Sequence, residues 1–250
     1  MSQIDLSERR ERVFIVLAGF FLCAMTLLNV VGITRFIQLG PMALAVGVLP
    51  YPLTFLCTDL ISELYGRARA NFLVWVGFTL NFFIIGCLWL GNYIPAVPAD
   101  TQPPWQVIKL AEDIALPNGE VLSGSAELFR LLYACTSGAV FASMMAYIAA
   151  QFCDVQLFHY FKRLTKGRHL WLRNNFSTLT SQMVDSFMVI TVTFGATYLA
   201  GNITIGAMLV LMGSNYLFKM FCALADTLPF YYLTGKLRTY LEIDNVHVFD

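Results

Sequence analysis

Residues 51–70 read YPLTFLCTDLISELYGRARA, and they place two carboxylates at the end of a long apolar stretch. The uncharged run begins at Phe36 and ends at Thr58. Asp59 follows directly, and Glu63 comes four residues later. About 20 uncharged residues are enough for a helix to cross a bilayer. The stretch therefore predicts a membrane helix with two acids at its end, and it raises the question of what these acids do.

The composition of the chain is typical of a membrane protein. Of the 250 residues, 58% are hydrophobic and only 13% are charged. A soluble domain carries about 25% charged residues and roughly 45–50% apolar ones. The chain thus belongs to the membrane class before any motif is considered.

Several other chemistries lack the residues that they need. No basic patch is combined with exposed aromatic residues, so a nucleic-acid partner is not expected. The six cysteines lie in or beside apolar segments and form no CxxC pair, which favours small buried side chains over disulfides or metal ligands. The GxGD and HExxH motifs of intramembrane proteases are missing. The sequence predicts no enzyme, no cofactor and no metal site.

Six segments have the length and composition of membrane helices. The last two divide one apolar stretch, residues 176–228, because Gly201-Asn202 is a natural turn. The fold predicted is an all-α integral membrane protein, a single six-helix domain over residues 1–250 with an outer loop at 95–125. The predicted helices cover about 13–33, 39–64, 71–94, 128–152, 174–200 and 203–232.

Lysine and arginine predict the orientation of these helices. The two termini and the loops after the second and fourth helices hold 12 of the 16 basic residues. With six crossings all four regions lie on one side, which the positive-inside rule assigns to the cytoplasm. Both termini are therefore predicted to be cytoplasmic.

The outer loop at 95–125 admits two interpretations. Its middle, residues 105–114, has apolar residues at helical spacing, which predicts a short interfacial helix. The alternative is a lid over a substrate entrance.

Charged residues inside the apolar segments mark the candidate site. Each costs roughly 2.5–3.5 kcal/mol on insertion, so such residues usually face a bundle interior or a water-filled cavity. Spacing by three or four residues puts the polar groups of the second, fifth and sixth helices on one face each. We expect these faces to line a common interior. The predicted substrate-binding residues are Phe55, Asp59, Glu63, Gln182, Asp185, Asn215 and Lys219.

Structural roles remain open for part of this set. Glu63 has the spacing to pair with Arg67 and to cap the end of its helix. Lys219 could instead have a purely structural role, in an ion pair with Asp185 or Asp226 inside the bundle.

Prolines interrupt the second predicted helix. Pro41, Pro50 and Pro52 remove backbone donors and clash with the preceding turn. In lipid, the freed carbonyl groups need partners from protein or water. Broken helices of this kind often line transporter binding sites, so we interpret the stretch that begins at Tyr51 as an unwound helix that lines a cavity, with the break at Pro50 and Pro52 and the polar face after it.

Four stretches together resemble the queuosine precursor transporter family, also called the vitamin uptake transporter family. Residues 51–66, YPLTFLCTDLISELYG, are similar to its aromatic-Pro-x-x-Phe-Leu-x-Thr-Asp signature. FCDVQLFHYFKR at 152–163 and NNFSTLTSQMVDSF at 174–187 match two further patterns. NYLFKMFCALADTLPFYYL at 215–233 resembles the last helix. The resemblance covers about residues 20–237 in the right order.

The resemblance implies a transporter in the inner membrane. Its substrates would be 7-deazaguanines, namely 7-cyano-7-deazaguanine (preQ0) and 7-aminomethyl-7-deazaguanine (preQ1), with queuine as a further candidate, taken up for queuosine salvage and tRNA modification. It also implies a six-helix shape similar to the substrate-binding components of energy-coupling-factor transporters, without an ATPase module. The positions that the resemblance carries over are Asp59, Asp154, Ser177, Asp185 and Lys219.

The residues fit that chemistry. A carboxylate can accept hydrogen bonds from the ring N–H and the exocyclic amine of a deazaguanine together, and an amide or Lys219 can donate to the ring carbonyl. Phe55 or Phe187 can stack on the planar ring system. An ion-coupled carrier of another nucleobase or vitamin is the alternative. The sequence leaves homo-oligomer formation open.

Overall fold

A computed structural model describes residues 5–98, 101–116, 120–164 and 170–243. Within these ranges the protein is mostly helical, with small antiparallel ladders between helices. The helices are α1 (Leu6–Val30), α2 (Tyr51–Tyr65), α3 (Arg67–Tyr93), α4 (Leu128–Leu164), α5 (Leu170–Leu199), α6 (Ile205–Ala225) and α7 (Thr227–Tyr240). The strands are β1 (Phe36–Leu39), β2 (Met42–Ala45), β3 (Val107–Lys109), β4 (Ile114–Ala115), β5 (Val121–Leu122) and β6 (Ser125–Glu127).

Four helical stretches in the described part are long and apolar enough to cross a membrane. Large apolar side chains such as Phe72, Phe83 and Leu209 remain exposed on their outer faces. Exposed apolar surface of this extent is expected against lipid and is rare on soluble monomers. The protein is therefore embedded in a membrane, and the count of six crossings stays a prediction. The four candidate spans are Leu6–Val30, Ala68–Tyr93, Leu128–Tyr147 and Ile205–Tyr240.

The first half of the second predicted helix is a β-hairpin instead. Strands β1 and β2 pair antiparallel, with Phe36 opposite Ala45, and a short 3₁₀ turn at Val46–Val48 follows. Gly40, at φ 57°, and Pro41 form the two-residue loop, where a glycine at the first position is favoured. The segment predicted as a helix from residue 39 is helical only from Tyr51. An apolar run of this kind does not separate strand from helix by periodicity.

Pro50 and Pro52 start α2 rather than break it. Pro50 is the N-cap residue and Pro52 lies in the first turn, where the missing N–H has no helical partner in any case. The helix then has 15 residues, and at 1.5 Å per residue it is about 22 Å long, which is short of the hydrocarbon thickness. The hairpin and the 3₁₀ turn precede α2 in the chain, so the irregular segment lies before the helix and not within it.

The outer loop is a hairpin, and the predicted interfacial helix at 105–114 is wrong. Strand β3 pairs with β6, and β4 pairs with β5 further along the same hairpin. The apolar residues of the loop serve a small core in which Leu116, Leu122 and Ala126 pack with Ala134 at the start of α4. A lid function of this loop stays a prediction.

The predicted turn between the fifth and sixth helices is present. Gly201 has φ 76°, and the Thr204 side chain accepts a hydrogen bond from the Ala207 N–H at 3.2 Å to cap α6. The predicted helix 203–232 divides at Asp226 into α6 and α7. Pro229 lies in the first turn of α7, where it is tolerated.

Two apolar clusters fix the helices around the interior. Phe21 of α1, Ile61 of α2 and Leu73 of α3 belong to one cluster. The other joins the hairpin to α6 through Leu44 and Phe218. The hairpin is therefore packed against α6, and it completes a wall of the interior next to α2 and α5.

Candidate functional site

A cavity of about 450 Å³ lies among the helices. Every helix from α1 to α6 contributes to its lining, together with the hairpin and the 3₁₀ turn. Most of the lining is apolar or aromatic, with a small number of polar groups among it. A concave site of roughly 300–1,000 Å³ with this kind of lining is typical of small-molecule binding.

All but one of the predicted site residues line this cavity. They come from α2, α5 and α6, the three helices whose polar faces the sequence predicts to meet. The geometry therefore agrees with the expected common interior, while the role of each residue in binding stays a prediction. The residues brought together are Phe55, Asp59, Gln182, Asp185, Asn215 and Lys219.

Lys219 and Asp185 form an ion pair in the cavity wall. The Lys219 Nζ atom donates to Asp185 Oδ2, and the two side chains are 4% and 15% exposed. Of the two carboxylates considered for Lys219 from the sequence, Asp185 is the observed partner. Such a pair cancels its own charge, but its free energy of desolvation makes it weak evidence for stabilisation alone.

Tyr51 connects the Lys219–Asp185 pair with Gln182 and Phe55 in the cavity wall. The sequence-based prediction of the site did not include Tyr51. Its hydroxyl group donates to Gln182 Oε1 at 2.8 Å, and the Lys219 Nζ atom lies 4.6 Å from its ring centroid, a cation–π contact. Its ring meets Phe55 edge-on, with centroids 4.5 Å apart. The signal was available, because Tyr51 precedes Asp59 by two helical turns on the same face.

Asp59 presents a carboxylate to the cavity that has no partner among the residues described by the structure. The residue is exposed and lines the cavity, and none of its interactions within the described residues is a hydrogen bond or an ion pair. Its neighbour on the helix face, Phe55, lines the cavity too. A free acceptor beside an aromatic ring is an arrangement that can bind a planar molecule with hydrogen-bond donors.

Glu63 is the predicted site residue that the structure places elsewhere. Its carboxylate pairs with Arg238 of α7, and the two side chains are 41% and 34% exposed. The sequence had suggested Arg67 as its structural partner; the side chain of Arg67 lies outside the described residues. Asp59 and Glu63 thus lie one turn apart on the same helix face, but Asp59 lines the cavity and Glu63 pairs with Arg238.

Asn29 of α1 and Asn81 of α3 are a second polar pair in the cavity that sequence reasoning missed. Asn29 Nδ2 donates to Asn81 Oδ1 at 2.9 Å, and the residues are 1% and 3% exposed. Both line the cavity. Each is an isolated amide in an apolar helix. The prediction of the site started from ionisable groups, and it therefore did not include these neutral side chains.

Two residues taken from the family resemblance cannot be placed. The side chains of Asp154 and Ser177 lie outside the described residues. Among the residues that the structure does describe, no group of three histidine, cysteine or acidic side chains could hold a metal ion.

Comparisons with known proteins agree on one kind of function. A family model described as "Putative vitamin uptake transporter" matches residues 45–234. A protein of Bacillus subtilis (strain 168) named "Probable queuosine precursor transporter" is 29% identical over 210 residues, which cover 82% of this chain and 77% of that protein. No solved structure gives a significant match.

Proposed function

Because the chain belongs to the vitamin uptake transporter family, we propose that it takes up queuosine precursors across the inner membrane for tRNA modification. The proposed substrates are the 7-deazaguanines preQ0 and preQ1, and queuine as a larger relative. The B. subtilis relative carries the corresponding name. The chain is a transporter and not an enzyme, and the identity of the substrate is the part that we propose.

The observation that carries this proposal is that the Asp59 carboxylate, which has no partner in the described part of the chain, lines the same partly aromatic cavity as the Lys219–Asp185 pair. A deazaguanine presents its ring N–H and exocyclic amine side by side, and one carboxylate can accept from both. Lys219 or the amide of Gln182 can donate to the ring carbonyl. With these assignments the Lys219–Asp185 ion pair stays intact when the neutral base binds.

Selectivity against adenine follows from the same contacts. Adenine lacks the N1–H group, the neighbouring exocyclic amine at C2 and the ring carbonyl, so it would leave donors and acceptors of the site unpaired. Sites built on such hydrogen bonds reject the wrong analogue by about 10⁴–10⁵-fold at the extreme. We expect guanine-like bases, and not adenine, to compete for uptake.

The proposal is tested by restoring queuosine to tRNA. The host lacks both its own transporter and precursor synthesis, expresses this protein, and is fed preQ0, preQ1 or queuine separately. We expect queuosine to appear in tRNA with at least one precursor and not with an empty vector. If none restores it, while another nucleobase or a vitamin is accumulated, an ion-coupled carrier of that compound is the function instead.

The proposed orientation follows from the basic residues at both ends. With six crossings, in which the hairpin and α2 together make the second, both termini and the loop between α4 and α5 lie in the cytoplasm. A single cysteine at Ser123, which is exposed in the outer hairpin, should react with an impermeant reagent added outside. One at Thr165 should not, in a background with the six native cysteines replaced. Labelling of both, or of Thr165→Cys alone, would contradict the six-helix topology.

A further inference from the structure

Asn29 and Asn81 have more hydrogen-bonding capacity than is needed to hold α1 and α3 together. One hydrogen bond joins the two amides, and Asn29 Oδ1 is buried with no hydrogen-bond partner among the described residues. An asparagine side chain can make four hydrogen bonds, two as donor and two as acceptor. Inside a membrane protein, a polar atom without a partner is unfavourable unless a group in a cavity supplies one. The free acceptor therefore points to a ligand in the cavity that both residues line.

The pair offers a ligand one acceptor and one donor next to each other. Asn29 Oδ1 is the acceptor, and Asn81 Nδ2, which makes no hydrogen bond within the described residues, is the donor. If the mutual bond runs in the other direction, the two residues exchange these roles, and the surface still presents one of each. A ligand edge that carries a donor and an acceptor separated by one atom matches this surface with two hydrogen bonds.

We propose that Asn29 and Asn81 bind the N3/N9–H edge of a purine-like base and make the protein select the free base over its nucleoside. This inference rests on the proposed function, in which Asp59 and the Lys219 wall take the other polar edge. In a 7-deazaguanine, N3 is an acceptor and N9–H is a donor, and a single carbon separates them. The N9–H group donates to one amide oxygen while N3 accepts from the other amide. A ribose on N9 removes the donor and places bulk against both residues.

Replacing both asparagines with leucine is the direct test. Leucine has nearly the shape of asparagine, and replacing both partners of a buried hydrogen bond by apolar groups of the same shape is close to neutral for stability. We expect the Asn29→Leu/Asn81→Leu protein to remain folded in detergent. Its affinity for preQ1 should fall about 10- to 100-fold, that is about 1.4–2.8 kcal/mol, because two hydrogen bonds to the base are lost.

The 9-methyl derivative of the same base separates recognition from general damage. It lacks the N9–H donor, so wild-type protein should bind it at least about tenfold more weakly than the free base. The double leucine variant should bind both compounds with similar affinity. Asn71→Leu is the matched control, because Asn71 lies on the same helix α3, is exposed, and does not line the cavity. It should keep the wild-type preference.

Each result supports or contradicts a separate statement. If wild-type protein binds no deazaguanine in a panel of planar bases but binds another one, the proposed substrate is wrong, and the same comparison on that base still tests the asparagine pair. If the double leucine variant keeps full affinity and preference, the pair is only a clamp between helices. Should that variant fail to fold, Asn81→Asp keeps the shape of the side chain and an acceptor for Asn29 Nδ2, and its ionised carboxylate lacks the free donor while adding a negative charge. Unchanged discrimination in Asn81→Asp would also overturn the inference.

Discussion

Replacing Lys219 with methionine should both destabilise the protein and abolish uptake. The lysine is 4% exposed and pairs with Asp185, so its removal leaves a buried carboxylate without a counter-charge. Breaking one side of a buried ion pair typically costs about 3–5 kcal/mol of stability. Loss of one member of a buried polar set at a binding site costs about 2–5 kcal/mol of affinity, or roughly 30- to several-thousand-fold. Thermal unfolding in detergent and uptake at equal membrane expression measure the two effects.

The double variant Lys219→Met/Asp185→Asn distinguishes a structural pair from a binding group. Removing both charges relieves the stranded carboxylate, and such replacements are often neutral or stabilising. We therefore expect thermal stability to return toward wild type while uptake remains low, because the donor for the ring carbonyl is still missing. Recovery of wild-type uptake in the double variant would mean that the pair only holds α5 against α6.

The meeting of the polar faces of α2, α5 and α6 around one cavity could be predicted from the sequence, because the free energy of placing an ionisable group in lipid is unfavourable. Asp59, Asp185 and Lys219 each lie in a long apolar segment, and their spacing from other polar residues defines one face per helix. The structure brings all three to one cavity. The physical rule is strong here because the alternative, a charge facing lipid, is so unfavourable.

Other parts of the site had no comparable signal. Asn29 and Asn81 are neutral, and their partnership joins residues 52 positions apart, which no local pattern reveals. The hairpin of β1 and β2 was also missed, because an apolar stretch without a clear period fits a buried helix as well as strands. Tyr51 differs from these, since extending the Asp59 face by two turns would have found it.

The contrast between the α6–α7 boundary and the α2 start shows how proline position decides the local fold. Both Pro52 and Pro229 lie in first turns, where the chain needs no N–H donor. From the sequence, Pro52 was interpreted as a break within a helix. The difference depends on where the preceding segment goes, and that is set by packing of the hairpin against α6, a tertiary contact.

Asp59→Asn and Glu63→Gln form the sharpest comparison, because the two acids lie one turn apart on α2. Asp59 lines the cavity and has no protein partner within the described residues, so it is free to accept from the substrate. Hydrogen bonds to a charged group contribute about 1.5–3 kcal/mol. We expect Asp59→Asn to lower substrate affinity by about 10- to 150-fold, measured by binding of labelled preQ1 to purified protein.

Glu63→Gln should leave that affinity nearly unchanged. Its carboxylate pairs with Arg238, and both side chains are about a third or more exposed. Exposed ion pairs contribute about 0–1 kcal/mol to stability, so the expected effect is a small loss of stability with normal binding. The two acids of the stretch 51–70 would then have separate functions, one in the substrate cavity and one in fastening α2 to α7. Normal binding in Asp59→Asn together with its loss in Glu63→Gln would place the recognising carboxylate one turn further along the helix and would contradict the cavity as the binding site.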